Sequence, residues 1–79
     1  MNREELLAKL EEIFRDIFDD ESIVLSEDTT PEDIEDWDSL GQVYLIAEIE
    51  DEFKIDLGES MQKVDNVAQV IDIIIGHMC

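Results

Sequence analysis

Three segments of the chain carry apolar residues at helical spacing, separated by polar or glycine-containing segments. The first segment predicts a helix from about Asn2 to Phe18 with one buried stripe. Its apolar positions are Leu6, Leu10, Ile13, Phe14, Ile17 and Phe18. Asn2 followed by Glu5 resembles a capping box, in which each side chain bonds the backbone N–H of the other residue.

The second and third segments predict two more helices. The second helix is expected from Ser39 to Phe53, with an apolar side made of Leu40, Val43, Ile46, Ala47, Ile49 and Phe53. We expect Asp65 to cap the last helix and Gly76 to end it. The buried face of that helix is predicted to be Val67, Val70, Ile71, Ile74 and Ile75. Between the two helices, residues 59–63 are expected to form a single helical turn.

Residues 19–38 form a long connection without sustained periodicity. Within it, we expect Ile23, Val24 and Leu25 to enter the core. Thr30-Pro31-Glu32-Asp33 has the composition of a short helical turn. The pattern shows no sustained strand alternation, so it predicts an all-α fold: a small bundle of three main helices plus one short helix, with a long first loop, forming a single domain over residues 1–79.

The charge of the chain is strongly one-sided. Its 23 acidic and 5 basic residues give a formal net charge of −18, and no basic residue lies between Arg15 and Lys54. Such a field repels nucleic acid and attracts basic protein surfaces. A surface that only confers solubility is the alternative explanation. The sequence contains one cysteine, Cys79, no signal-peptide pattern and no apolar run of membrane length, so we expect a cytoplasmic protein without a membrane span. We also expect a monomer.

The segment Asp36-Trp37-Asp38-Ser39-Leu40-Gly41 places a hydroxyl where an acidic loop meets the start of a helix. The N–H groups at a helix start favour a nearby phosphate, so Ser39 is a candidate site for a phosphate ester. The run from Ser39 to Gln42 also matches a capping box in which Ser39 only caps the helix. The four residues alone leave both interpretations open.

A longer pattern resembles the acyl carrier protein family. It consists of Asp38-Ser39-Leu40, then Val43 and Leu45, then Glu50-Asp51-Glu52-Phe53, and finally Asp65-Asn66-Val67. The resemblance implies that Ser39, flanked by Asp38 and Leu40, receives 4′-phosphopantetheine from coenzyme A through a phosphopantetheinyl transferase. Acyl groups would then be carried as thioesters, with no catalytic residue supplied by the chain.

The resemblance also implies partner-docking residues: Asp38, Glu50 and Asp51 match acidic positions that contact basic surfaces of acyl-transferring and condensing enzymes. Gly41 and Tyr44 stand where many members have carboxylates, which favours a specialised stand-alone carrier. An apolar gap for the acyl chain is expected among Leu40, Val43, Ile46, Ala47, Ile49, Leu57 and Met61, although core packing also explains these residues.

Three alternatives remain open from the sequence. An aminoacyl or peptidyl carrier would share the same motif. An acidic interaction module that mimics nucleic acid would share the charge. A hydrolase is disfavoured because no histidine base lies near Ser39 in the sequence, where the single histidine is His77, and no spacing resembles a zinc site, a phosphate loop or a catalytic triad.

Overall fold

Three α-helices account for most of the chain: α1 (Arg3–Ile17), α2 (Ser39–Phe53) and α3 (Val67–Met78). The computed structural model describes residues 2–58, 60–61 and 64–78, and these ranges contain no strand. The prediction of an all-α fold with three main helices is therefore confirmed. None of the helices in these ranges is long and apolar enough to cross a membrane.

Helix α1 has one of the two hydrogen bonds of the predicted capping box and buries four of its six predicted apolar positions, while Ile17 and Phe18 are half-buried. The Asn2 side chain accepts a hydrogen bond of 2.8 Å from the backbone N–H of Glu5. The buried residues of α1 are Leu6, Leu10, Ile13 and Phe14. The helix ends at Ile17, one residue earlier than predicted, and Phe18 closes it by donating its backbone N–H to the carbonyl of Phe14 at 3.0 Å.

Helix α3 has the predicted core face but different ends. Val67, Val70, Ile71 and Ile74 are buried, and Ile75 is half-buried. Asn66, not Asp65, caps the helix: its side chain accepts from the N–H of Gln69 at 3.0 Å, while the Gln69 side chain accepts from the N–H of Asp65 at 2.9 Å. Gly76 does not end the helix, which continues to Met78. A glycine inside a helix lowers helix propensity but does not break the hydrogen-bond ladder.

The long connection before α2 is fixed to α1. Leu25 donates its N–H to the Glu11 carboxylate at 3.0 Å, and Arg15 donates to the carbonyl of Ile23 at 2.8 Å. Ile23 and Leu25 are buried as predicted, but Val24 is 75% exposed, so its predicted burial is wrong. Neighbouring side chains of this surface segment alternate between the core and solvent.

The same connection also holds the start of α3. The carbonyls of Glu27 and Thr29 accept the first helical N–H groups, from Ala68 at 3.0 Å and Val67 at 2.9 Å. Arg3 of α1 forms ion pairs with Glu27 and with Asp72 of α3. The connection therefore ties α1 to α3.

Two predicted turns have different outcomes. The turn at residues 30–33 is present, since Asp33 donates its N–H to the carbonyl of Thr30 at 2.9 Å. In the segment predicted as a helical turn at 59–63, residues 59, 62 and 63 lie outside the described ranges. Ser60 donates its backbone N–H to the carbonyl of Leu57 at 3.0 Å, which closes a turn at the start of that segment.

Candidate functional site

Trp37 fixes the end of the loop that precedes α2. The indole is 3% exposed and meets the ring of Phe14 edge to face, with ring centroids 5.0 Å apart. Its Nε1–H donates to the side chain of Gln42 at 2.5 Å, and the Gln42 amide donates to the carbonyl of Met61. Trp37 thus connects the loop to α1 and α2, and Gln42 extends the connection to the segment before α3. The sequence pattern did not predict this anchoring role of Trp37, although a single tryptophan within an acidic loop is a signal for burial.

Gly41 allows the first turn of α2 to pack tightly against this loop. A Cβ at this position would lie less than 3.0 Å from the carbonyl oxygen of Asp36, a separation that Cβ atoms essentially never show, and 2.9 Å from Cε1 of Phe18. Gly41 is buried, so this packing leaves no room for the carboxylate that the resemblance places at this position in many members.

Asp38 is the residue that caps α2. Its backbone is extended, and its side chain accepts the N–H of Gly41 at 2.9 Å. Its carbonyl accepts the N–H of Gln42 at 2.8 Å. The alternative prediction that Ser39 only caps the helix is thus wrong, because Asp38 occupies the cap position.

Ser39 is consequently the first helical residue, and it is exposed. Within the described ranges its hydroxyl has no hydrogen-bond partner. The first N–H groups of a helix have no intrahelical acceptor. The side chain of Asp38 bonds the N–H of Gly41, which leaves those of Ser39 and Leu40 open to a phosphate oxygen.

Helix α2 has a core face and a solvent face, and both contain apolar residues. The core face is Gly41, Leu45 and Ile49. Leu40, Val43 and Tyr44 are 61%, 60% and 57% exposed, and Ala47 is exposed beside them. The apolar side that the sequence predicted for this helix therefore combined residues of the core face with residues of the solvent face. Of the residues expected to line an acyl gap, three face solvent, Ile46 is half-buried, and Ile49, Leu57 and Met61 lie in the core.

The predicted docking carboxylates are not equally free. The carboxylate of Asp38 accepts a hydrogen bond from the N–H of Gly41, and the carboxylate of Glu50 accepts one from the N–H of Leu57 at 2.9 Å. Asp51 is exposed. The only histidine of the sequence, His77, has its Nε2 atom 3.3 Å from the hydroxyl of Ser60, so it is directed to a different serine from Ser39.

Comparison with known proteins places this site in context. No family model matches the chain. An acyl carrier protein of Rubrobacter xylanophilus is 39% identical over 79 residues, which cover 98% of this chain and 96% of that protein. A solution NMR structure of holo acyl carrier protein from Geobacter metallireducens superimposes with a TM-score of 0.82 at 40% identity, covering 91% of this chain and 84% of the other. With identity at this level over nearly the whole length, the chain belongs to the acyl carrier protein family, whose members are carriers and not enzymes.

Proposed function

We propose that the chain carries acyl groups on a 4′-phosphopantetheine arm attached to the hydroxyl of Ser39. The observation that supports this most directly is the division of roles between two adjacent residues. Asp38 caps α2, and the exposed hydroxyl of Ser39 has no partner within the described ranges. When attached, the arm supplies the thiol on which acyl groups are held as thioesters.

The residues around Ser39 fit a phosphodiester. The N–H groups of Ser39 and Leu40 point out of the helix start, where the helix dipole favours negative charge. Asp36 and Asp38 add negative charge nearby, but both are exposed, so water and salt screen them. The solved relative is described as a holo protein, which supports a prosthetic group in the family.

In this proposal the residues around Ser39 hold the attachment point in a fixed position and orientation. Trp37, Gln42 and Gly41 hold the start of α2 against the loop and α1. The anchor point therefore has a fixed position relative to the surface that a partner enzyme would recognise. Ser39 needs no acid or base from this chain, because the transferase activates its hydroxyl during attachment.

Mass spectrometry after incubation with coenzyme A and a phosphopantetheinyl transferase of broad specificity tests the proposal. We expect the parent protein to gain the mass of one phosphopantetheine and Ser39→Ala to gain none. Ser60→Ala is the matched control, because Ser60 is also exposed but lies outside the helix start. A parent that stays unmodified while a reference carrier is modified would contradict the proposal, and so would modification of Ser39→Ala.

We further propose that the chain is a specialised carrier in fatty-acid, polyketide or related biosynthesis, in which it serves acyl-transferring and condensing enzymes. Tyr44, 57% exposed, supports this, because the resemblance places a carboxylate there in many members. We expect the holo protein to be a poor substrate for a housekeeping malonyl transferase and ketosynthase, and Tyr44→Glu to be a better one. Efficient and equal activity of both proteins would contradict specialisation.

A further inference from the structure

The start of α3 is capped by a segment that lies before α2 in the chain. Val67 and Ala68 donate their backbone N–H groups to the carbonyls of Thr29 at 2.9 Å and Glu27 at 3.0 Å. The first N–H groups of a helix have no acceptor within the helix, and most caps come from the residues immediately before it. The start of α3 therefore depends on the position of residues 26–29, which we name the capping turn.

The capping turn keeps its shape through bonds between its own two ends. Ser26 donates its N–H to the hydroxyl of Thr29 at 2.9 Å, and Thr29 donates its N–H to the carbonyl of Ser26 at 3.2 Å. Thr29 is buried. These bonds fix the shape of the turn, while a different contact ties it to α1.

Arg3, at the start of α1, joins the capping turn to α3. Its Nε and Nη2 atoms donate to the same oxygen of Glu27 at 3.1 and 2.5 Å, and its Nη1 atom donates to Asp72 of α3 at 2.5 Å. Glu27 thus offers its carboxylate to Arg3 and its carbonyl to Ala68. A single surface ion pair contributes little to stability. A rigid guanidinium shared between two carboxylates is a network with fixed geometry, in which the contribution is larger.

We propose that Arg3 is a salt-sensitive clasp that controls a local opening, in which the capping turn separates from the start of α3 while α1 and α2 stay packed. The capping turn carries two acidic residues and α3 carries Asp72, so these parts repel each other once the cation between them is removed. Trp37 holds the start of α2 through separate contacts, so the opening leaves Ser39 in place.

Hydrogen exchange measured by NMR for single N–H groups tests this inference, since such exchange detects local opening separately from global unfolding. In Arg3→Gln we expect the N–H groups of Val67 and Ala68 to exchange about three- to ten-fold faster relative to the core N–H groups of α2. Lys9→Gln is the matched control, because Lys9 also links α1 to another helix, through Glu52 of α2 at 3.1 Å. It should leave the ratio of exchange rates between α3 and α2 unchanged.

Salt and a conservative variant provide two further measurements. Raising NaCl from about 0.01 M to 1 M shortens the screening length from about 30 Å to about 3 Å, so the difference between the parent and Arg3→Gln should narrow. Arg3→Lys should give a smaller increase in exchange than Arg3→Gln, because it keeps the charge but loses the rigid fork. The inference would be overturned by an equal increase in α2 and α3, by the same effect in Lys9→Gln, or by a difference that does not change with salt.

Discussion

Two glycines in helices provide a matched pair of substitutions with opposite predicted effects. Gly41 and Gly76 both lie inside helices, where alanine is favoured over glycine by about 1 kcal/mol. A Cβ at Gly76 meets nothing within 4 Å, so Gly76→Ala should gain a few tenths to about 1 kcal/mol in the free energy of unfolding. The lower part of that range reflects its place in the last turn of α3.

At Gly41 the steric cost outweighs this gain. The new methyl group would overlap the carbonyl oxygen of Asp36 and lie 2.9 Å from Cε1 of Phe18. A ring can tilt, but the carbonyl belongs to a loop that the buried Trp37 holds in place. Overpacking of this kind costs about 1–3 kcal/mol, and a backbone neighbour favours the upper part of that range. Subtracting the gain in helix propensity leaves a predicted net loss of about 2 kcal/mol for Gly41→Ala.

Urea unfolding followed by far-UV circular dichroism measures this difference. A domain of 79 residues has a free energy of unfolding on the order of 4–12 kcal/mol, so a loss of about 2 kcal/mol is readily measured. It corresponds to a fall in Tm of roughly 8–16 °C. If Gly41→Ala were as stable as Gly76→Ala, the close packing of α2 against the loop would not exist and the reasoning would be refuted.

Three further predictions concern the cap, the net charge and one carboxylate. Asp38→Ala should lower the free energy of unfolding by about 1 kcal/mol because it removes the helix cap, whereas Ser39→Ala should change it by less than about 0.5 kcal/mol. Equal losses of unfolding free energy in urea for the two variants would contradict the assignment of Asp38 as the cap. Added NaCl should raise the Tm, and MgCl₂ should raise it further, because self-repulsion at a net charge of −18 outweighs surface ion pairs worth about 0–1 kcal/mol each; a flat response in calorimetry would contradict it. Hydrogen bonds from the hydroxyl and the N–H of Ser22 lower the pKa of Asp20, so they stabilise the fold above the ordinary pKa of aspartate, and this stabilisation is lost as the pH falls through the lowered value. Ser22→Ala should raise the pKa of Asp20 in an NMR titration, and an unchanged pKa would show that the hydroxyl is not a cause.

The helices and the cores of α1 and α3 could be predicted because each has a single apolar stripe. In α2 the periodicity is ambiguous. Leu40, Val43, Tyr44 and Ala47 follow helical spacing, and so do Gly41, Leu45 and Ile49. The stripe that is buried includes Gly41, which lies against the Asp36 carbonyl and the Phe18 ring, together with Leu45 and Ile49 in the core. The contact with Phe18 joins residues that are far apart in the sequence, so the local pattern of α2 does not reveal it.

The cap of α2 was ambiguous for a local reason. Asp38 and Ser39 are both residue types that cap helices well. The choice depends on which residue has extended backbone, and Asp38 does, with ψ at −167°. Asn66 and Asp65 present the same ambiguity at α3, where the hydrogen bond from Gln69 identifies Asn66 as the cap.

The two faces of α2 allow stability and recognition to be altered separately. Leu45 and Ile49 are fully buried, so truncating them leaves a cavity and costs about 2–5 kcal/mol. Leu40 and Tyr44 lie mostly in solvent, so truncating them removes little buried area and leaves the fold intact. A loss of transferase binding in the second pair at unchanged Tm would therefore report on the surface itself. Helix α2 combines a packed core face with an exposed apolar face because Gly41, which has no side chain, lets the core face lie close to Phe18 at the end of α1.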